Sequence, residues 1–305
     1  MRQVPLTGPR AAGWKALAEL VRAPAALTVP GDVIAGAAAA GRRPDPAVAA
    51  LAVGSAGLYW AGMALNDFAD RETDAYERSH RPVPSGRISP GTALAVAVVC
   101  TAGGLAVTAA AGGRRSLAAA VPLAGLVWAY DLRLKSTPYG PAAMACARGL
   151  DVLVGATAAP GGRGVRAALP AAGVLTAHTA AVTRLSRSEV EGSRPALPLT
   201  TLAASAAVAT AAAIPPRRGH VRTGRPAQAS AALAGWYGVR FGTALLAAAR
   251  DPAPGRLQAA VAAGIHAMVP LQAALTARTG AVGPAAALAA VLPLARRLGR
   301  RVSPT

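Results

Sequence analysis

NDFADRETDAYERSHRPVPSGRIS, residues Asn66–Ser89, is a polar island in an otherwise apolar chain. Asn66, Asp67, Asp70, Glu72, Asp74 and Glu77 crowd its first half, and Arg78, His80, Arg81 and Arg87 its second. It is entered from the uncharged run Ala47–Asn66 and left through the uncharged run Ile88–Gly113. A bilayer core takes about 20 apolar residues per helix, with roughly 17 tolerated, and both runs satisfy that. Outward from them, uncharged runs recur at Ser116–Tyr130, Ala167–Thr183, Pro195–Pro216, Leu257–Ala277 and Thr279–Ala295. Short Arg-bearing loops separate them, a recurrence that an Ala-rich soluble helical protein has no reason to keep.

Composition agrees. Of 305 residues 53% are hydrophobic and 15% charged, where a soluble domain has about 25% charged. Mean hydropathy is +0.37. The net charge of +19 does not mark a nucleic-acid binder, because the bases lie scattered at the ends of apolar segments and aromatics are only 4%. That layout is one of interfacial anchors and topology signals. Cys100 and Cys146 fall in apolar runs and read as free thiols. No alternating barrel pattern is visible. The N-terminal run contains Asp32 and follows Glu19 and Arg22, so it reads as a first membrane helix rather than a signal peptide.

The predicted helices span 14–40, 46–65, 90–111, 115–130, 139–159, 166–184, 196–214, 228–249, 257–277 and 281–297. Pro270 and the short Gly280–Gly283 turn leave open whether the last two are separate. The expected fold is an all-α polytopic membrane protein, a bundle of nine or ten helices around a central cavity. It forms a single domain over 1–305 with tails at 1–13 and 298–305, and Pro215–Pro226 is a polar loop. The Arg/Lys bias places the 66–89 loop, Arg133, Lys135, the 184–194 loop, Arg250, Arg256 and the Arg296–Arg301 cluster on the cytoplasmic side of the membrane.

Four charges fall at membrane depth: Asp32, Arg148, Asp151 and Arg240. Each costs about 2.5–3.5 kcal/mol to insert, so such residues face a polar cavity or each other. Arg148 and Asp151, one turn apart, read either as a self-paired couple or as a cavity wall.

On a helix, Asn66, Asp70 and Asp74 fall at i, i+4 and i+8, and Asp67 joins their face. Like charges so placed repel, and a divalent cation relieves them. Carboxylate and amide oxygens suit Mg²⁺, which binds through one or two carboxylates plus substrate phosphates. The Gly and terminal Glu of an EF-hand loop are missing.

The pattern NDFADRETD followed by RPVPSGRIS resembles the first Asp-rich signature of the UbiA superfamily of intramembrane prenyltransferases. YDLRLKSTPYGPAAMACARGLDVLVGA, Tyr130–Ala156, is similar to that family's region around its fifth helix, and the likeness runs over about 14–297. Within the family, TVPGD, YDLRLK and LSRSEVEG look most like the branch of bacterial Ebo-type clusters. The resemblance implies a Mg²⁺-dependent transfer of an isoprenoid group from an allylic diphosphate to a small-molecule or lipid acceptor. It implies that Asn66, Asp67, Asp70 and Asp74 bind Mg²⁺–diphosphate, with Asp67, Asp70 and Lys135 catalytic. Arg81, Arg133 and Lys135 would contact the diphosphate; Arg133 and Lys135 also read as ordinary topology signals. Arg148 and Asp151 would line the substrate cavity, and Asp131 is an extra carboxylate nearby.

The family's second Asp-rich motif is altered. In its place stands TRLSRSEVEGSRP, whose Glu189 and Glu191 are spaced i, i+2 and cannot share a helical face. Glu191 is spaced for an i, i+4 pair with Arg187. Either Glu189 supplies a longer-armed metal ligand, or Arg184 and Arg187 hold the phosphates instead. The alteration keeps open a second function class, a UbiA-like membrane binding or transport protein that retains diphosphate binding without transfer. The D-G-x-x-A-R pattern of CDP-alcohol phosphotransferases is absent. His178 and His266 read as packing or pore-lining residues.

Overall fold

A computed structural model describes residues 13–22, 28–159, 163–214, 224–290 and 293. The tail at 1–12, most of the Pro215–Pro226 loop, and the Arg296–Arg301 cluster with its tail lie outside them. The described residues form helices and connecting turns, with no strand among them. In order these are α1 (Trp14–Leu20), α2 (Pro30–Ala39), α3 (Pro46–Ala69), α4 (Arg71–Glu77), α5 (Pro90–Ala129), a π-helical turn (Tyr130–Leu134), α6 (Gly140–Ala156), α7 (Arg163–Ser186), α8 (Ala196–Ala213), α9 (Arg225–Arg250) and α10 (Pro254–Ala277). Residues 282–290 are helical again and form α11.

Among the described residues, five helices are long and apolar enough to cross a membrane: Pro46–Ala69, Pro90–Leu134, Gly164–Ser186, Ala196–Ala213 and Pro254–Ala277. Their starts are written in the sequence. Asp45 caps α3 by accepting from Val48 N at 2.9 Å, and Ser89 caps α5 by accepting from Thr92 N at 3.0 Å. Each cap is followed by a proline, whose missing N–H costs nothing at the first helical position.

The 45-residue stretch Pro90–Leu134 consists of two helical arms. Gly113 breaks it with φ 63°, ψ −155°, a left-handed backbone that favours glycine. The chain folds back there, and Trp128 Nε1 donates to Thr101 Oγ1 at 3.0 Å across the two arms. The expected single helix over 14–40 is instead divided. α1 ends at Leu20, Arg22 takes φ 46°, and α2 starts at Pro30. Proline at 24 and again at 30 gives a physical reason, since neither can sit inside a helix without losing a hydrogen bond. Pro270, by contrast, is carried inside α10, which runs unbroken to Ala277.

Lipid offers no hydrophobic drive between helices, so close backbone approach and small residues have to do that work. The α2–α6 contact is the clearest case. A Cβ on Gly36 would lie 1.8 Å from Val152 O, and one on Gly155 would lie 2.0 Å from Val33 O. The two helices therefore meet backbone to backbone, and this contact fixes Asp32 on α2 against Arg148 on α6. A second apolar cluster joins α6–α10 around Leu175, Tyr237, Phe241 and Leu271. Gly155→Val is expected to lower the thermal midpoint of the detergent-solubilised protein, since overpacking costs about 1–3 kcal/mol. Gly173→Ala, with nothing within 4 Å of an added Cβ, should leave the midpoint in place.

Candidate active site

A cavity of about 280 Å³ opens within the N-terminal half of the bundle. One wall is a single face of α3, because Ser55, Leu58, Tyr59, Gly62, Met63 and Asn66 recur at helical spacing. At 1.5 Å per residue, Ser55 and Asn66 stand about 16 Å apart along that wall. Leu123, Val127, Met144 and Ala147 make the opposing wall apolar. Both ends are polar, with Ser55, Arg148 and Asp151 at one and Asn66, Asp131 and Arg22 at the other.

The Asn66 end continues into the Asp-rich segment. α3 runs to Ala69, past the predicted end at 65, and so carries Asn66 and Asp67 on its last turn. At Asp70 (φ −89°, ψ 4°) the chain bends into α4. The bend redistributes the carboxylates. Asp67 and Asp74, two turns apart, are buried and share Arg81, whose Nη1 lies 3.5 Å from Asp67 Oδ1 and 2.5 Å from Asp74 Oδ2. Arg78 lies 3.4 Å from Asp74 Oδ1, and Arg22 lies 3.4 Å from Asp67 Oδ1. Asp70 instead meets Lys135, with Nζ 2.6 Å from Oδ1, though off the axis of a hydrogen bond. Asn66 Nδ2 donates to Asp131 Oδ1 at 3.2 Å. The predicted Asn66–Asp70–Asp74 stripe is thus divided among three sets of partners.

The π-helical turn supplies two of those partners. Its wide ring, closed by Lys135 N to Tyr130 O at 2.9 Å, lets Asp131 face the cavity while Lys135 reaches the mouth. Such turns inside or beside α-helices recur at functional sites. Arg133 on the same turn is exposed, with no ion pair among the described residues.

The second loop packs against the first one's periphery. Arg187 Nη1 donates to Thr137 O at 2.8 Å, tying it to the connection after the π turn. Glu189 is half-buried. Burial pushes its carboxyl above the usual range, opposed by Arg78, the same cation that reaches Asp74. Glu191 lies in a turn beyond the end of α7 at Ser186, so the helical i, i+4 spacing to Arg187 does not apply. Arg184 is exposed and is not drawn into the cavity.

At the deep end, Arg148 does not pair with Asp151. Its Nη1 donates to Asp32 Oδ2 at 2.5 Å, and Gln272 Nε2 donates to Asp32 Oδ1 at 2.8 Å. Asp151 accepts from Ser55 Oγ at 2.5 Å. Both Arg148 and Asp151 line the cavity, and the ion pair of Arg148 is with Asp32 rather than Asp151. The reason is the close α2–α6 contact, which offers Arg148 a fully buried carboxylate on another helix. His178, fully buried, packs edge-on to Tyr237 and Phe241, away from the cavity.

Arg22 was not singled out by the sequence. Its strained backbone (φ 46°) and its place at both Asp67 and the cavity lining mark it as part of the site. The available signal was a basic residue two positions before a proline in the sequence.

The fold and this geometry define an integral membrane helical bundle whose apolar, lipid-suited cavity ends in a mouth of carboxylates and cations. The chain belongs to the UbiA prenyltransferase family, whose pattern it matches over residues 29–303. It is 39% identical over 106 residues to a digeranylgeranylglyceryl phosphate synthase of Methanopyrus kandleri, covering 35% of this chain and 39% of the relative. It is 36% identical over 183 residues to the enzyme of that name from Halobacterium salinarum, covering 58% of this chain and 62% of the relative. The matched stretches thus span about two-fifths to three-fifths of these relatives. Among solved structures, a UbiA homolog from Archaeoglobus fulgidus bound to GPP and Mg²⁺ superposes with a TM-score of 0.59 at 15% identity, over 88% of this chain and 99% of that one. That likeness speaks to the fold.

Arg148→Met would leave Asp32 buried without its cation, a loss of about 3–5 kcal/mol for a broken buried pair. A marked fall in thermal midpoint is expected, with much of it recovered in Asp32→Asn/Arg148→Met.

Proposed function

We propose that the protein is a Mg²⁺-dependent prenyltransferase that moves an isoprenoid group from an allylic diphosphate to a small-molecule or lipid acceptor. The observation that carries the reading is the junction of an apolar cavity with a mouth where Asn66, Asp67, Asp70 and Asp74 alternate with Arg22, Arg78, Arg81 and Lys135. A lipid diphosphate has that same division, an apolar chain joined to a dense negative charge. Relatives named digeranylgeranylglyceryl phosphate synthase and a neighbour bound to GPP and Mg²⁺ support it.

The metal fit is to a partly open set. Among the described residues no three His, Cys, Asp or Glu side chains close on one point. The donors are nevertheless hard oxygens, and Mg²⁺ normally completes its shell with substrate phosphates and water. Asn66, Asp67, Asp70 and Asp74 would hold it, with Glu189 as the outlying candidate from the second loop. Bound there, the ion supplies Lewis-acid neutralisation of the diphosphate as its bond to carbon breaks.

The protein's own groups do the rest. Lys135 and Arg81 hold the leaving diphosphate, and preorganised cations of this kind stabilise charge as it develops. Arg133, Arg184 and Arg187 are exposed cations, Arg187 tied to Thr137 O after the π turn, and would favour the approach of an anionic head group. Leu58, Leu123, Val127 and Met144 keep water from the reacting carbon. Arg148 and Asp151 close the far end of the cavity.

In this reading residues 1–305 work as one domain, crossing the cytoplasmic membrane of a bacterium nine or ten times with the site facing the cytoplasm. The positive-inside bias of the 66–89 and 184–194 loops supports that orientation. The finer affinity to the Ebo-type branch rests on TVPGD, YDLRLK and LSRSEVEG, which contribute Asp32, Asp131, Lys135 and Glu189.

Membranes carrying the protein should release pyrophosphate from geranyl diphosphate when Mg²⁺ and a lipid extract supplying the acceptor are present. Asp67→Ala and Asp70→Ala should each lower the rate about a hundredfold or more, and EDTA should stop it. Full turnover in both variants would remove these residues from the mechanism.

A further inference from the structure

Among the described residues near the mouth, Asp131 is the carboxylate whose hydrogen bond comes from a neutral group, with Lys135 and Arg22 acting on it only through space. Asp67 and Asp74 are held by arginines and Asp70 by Lys135, whereas Asp131 Oδ1 accepts from the amide of Asn66. It is 4% exposed and lines the cavity. Its two oxygens are not equivalent. Oδ1 is turned to Asn66, while Oδ2 lies over Gly62, where an added Cβ would sit 3.5 Å from it. Gly62 is four residues, about 6 Å, further along the α3 wall from the Asp-rich mouth.

That offset matters for a substrate whose head group is held beside Asn66, Asp67 and Asp70. The carbon bonded to the diphosphate then enters the cavity first, at the level of Gly62. When the carbon–oxygen bond breaks, the electron pair leaves with the diphosphate and the carbon is left positive. A carboxylate oxygen in a water-poor wall beside it is strongly stabilising, and a fixed one needs no reorganisation during the reaction. We infer that Asp131 is a further catalytic residue, whose carboxylate faces the allylic cation from the cavity wall. The bookkeeping closes: one carbon–oxygen bond breaks, one carbon–acceptor bond forms, and the acceptor's proton leaves with the released diphosphate.

This inference rests on the prenyl-transfer reading, and the test separates the two. The solubilised full-length protein is titrated, with Mg²⁺ present, against two probes. Geranyl thiolodiphosphate carries the head group but a neutral reacting carbon. A geranyl-type tertiary ammonium analogue, added with inorganic pyrophosphate, mimics the separated cation and leaving group. Asp131→Asn should weaken the ammonium analogue at least tenfold and change the thiolodiphosphate less than twofold. Asp131→Glu should recover part of the loss. Asp67→Asn should weaken both probes. Equal binding of the ammonium analogue by wild type and Asp131→Asn would overturn the role of Asp131 and leave the transfer reading standing. If the wild type binds neither probe, the transfer reading itself fails, and this inference with it.

Discussion

Negative charge at the edge of a hydrocarbon layer has to be met by positive charge, and this protein is organised around that requirement. Asp67 and Asp74 are almost wholly buried, yet three arginines from three different segments reach them. Arg22 comes from the break after α1, Arg78 from the end of α4, and Arg81 from the Pro-rich turn beyond it. These contacts do more than neutralise. Arg81 joins two carboxylates that the bend at Asp70 would otherwise leave unconnected, so it fixes the turn to the helix end. Salt bridges on an open surface contribute about 0–1 kcal/mol, but here the carboxylates are desolvated and loss of a partner leaves a buried charge exposed to no water. The mouth therefore has its shape because the charges must be paired, and its chemistry follows from the same pairing.

The deep end obeys the same constraint with a different solution. Arg148 and Asp32 sit on helices brought into backbone contact by Gly36 and Gly155. Without those glycines the helices could not approach, and the two charges would each need a partner elsewhere. Packing and electrostatics are thus one problem in this bundle. Small residues let the helices close, and closure puts opposite charges within reach. The apolar wall between the two polar ends, about 16 Å long on α3, is what remains when both ends have satisfied themselves.

Much of this was legible in the sequence. The apolar runs and the hairpin between the two arms of α5 follow from residue type and spacing. The sequence also singles out Asn66, Asp67, Asp70, Asp74 and Lys135, which the structure gathers at one end of the cavity. Their geometry was not legible. A helical wheel assumes an unbroken helix, and the bend at Asp70 moves Asp74 toward Asp67 and Asp70 toward Lys135. The same limit applies to Arg148: its i, i+3 neighbour Asp151 was visible, while its actual partner Asp32 lies 116 residues away. Arg22 was hidden for a related reason, because its reach to Asp67 depends on a strained backbone and a helix break. Sequence spacing reports neighbours on one helix; it carries little about which helices meet.

The π-helical turn shows how one local irregularity serves both demands. In a regular α-helix, residues four apart share a face, so Asp131 and Lys135 would point the same way and neutralise each other. Widening the ring by one residue gives each a different nearest partner, while Lys135 still acts on the Asp131 carboxylate through space. Lys135 turns to Asp70 at the mouth, and Asp131 is left to the neutral amide of Asn66 on the cavity wall. The cation is thereby placed where a diphosphate would lie, and the carboxylate where its chain begins. The irregular turn costs some hydrogen-bond quality, and in return it gives two opposite charges within five residues different nearest partners.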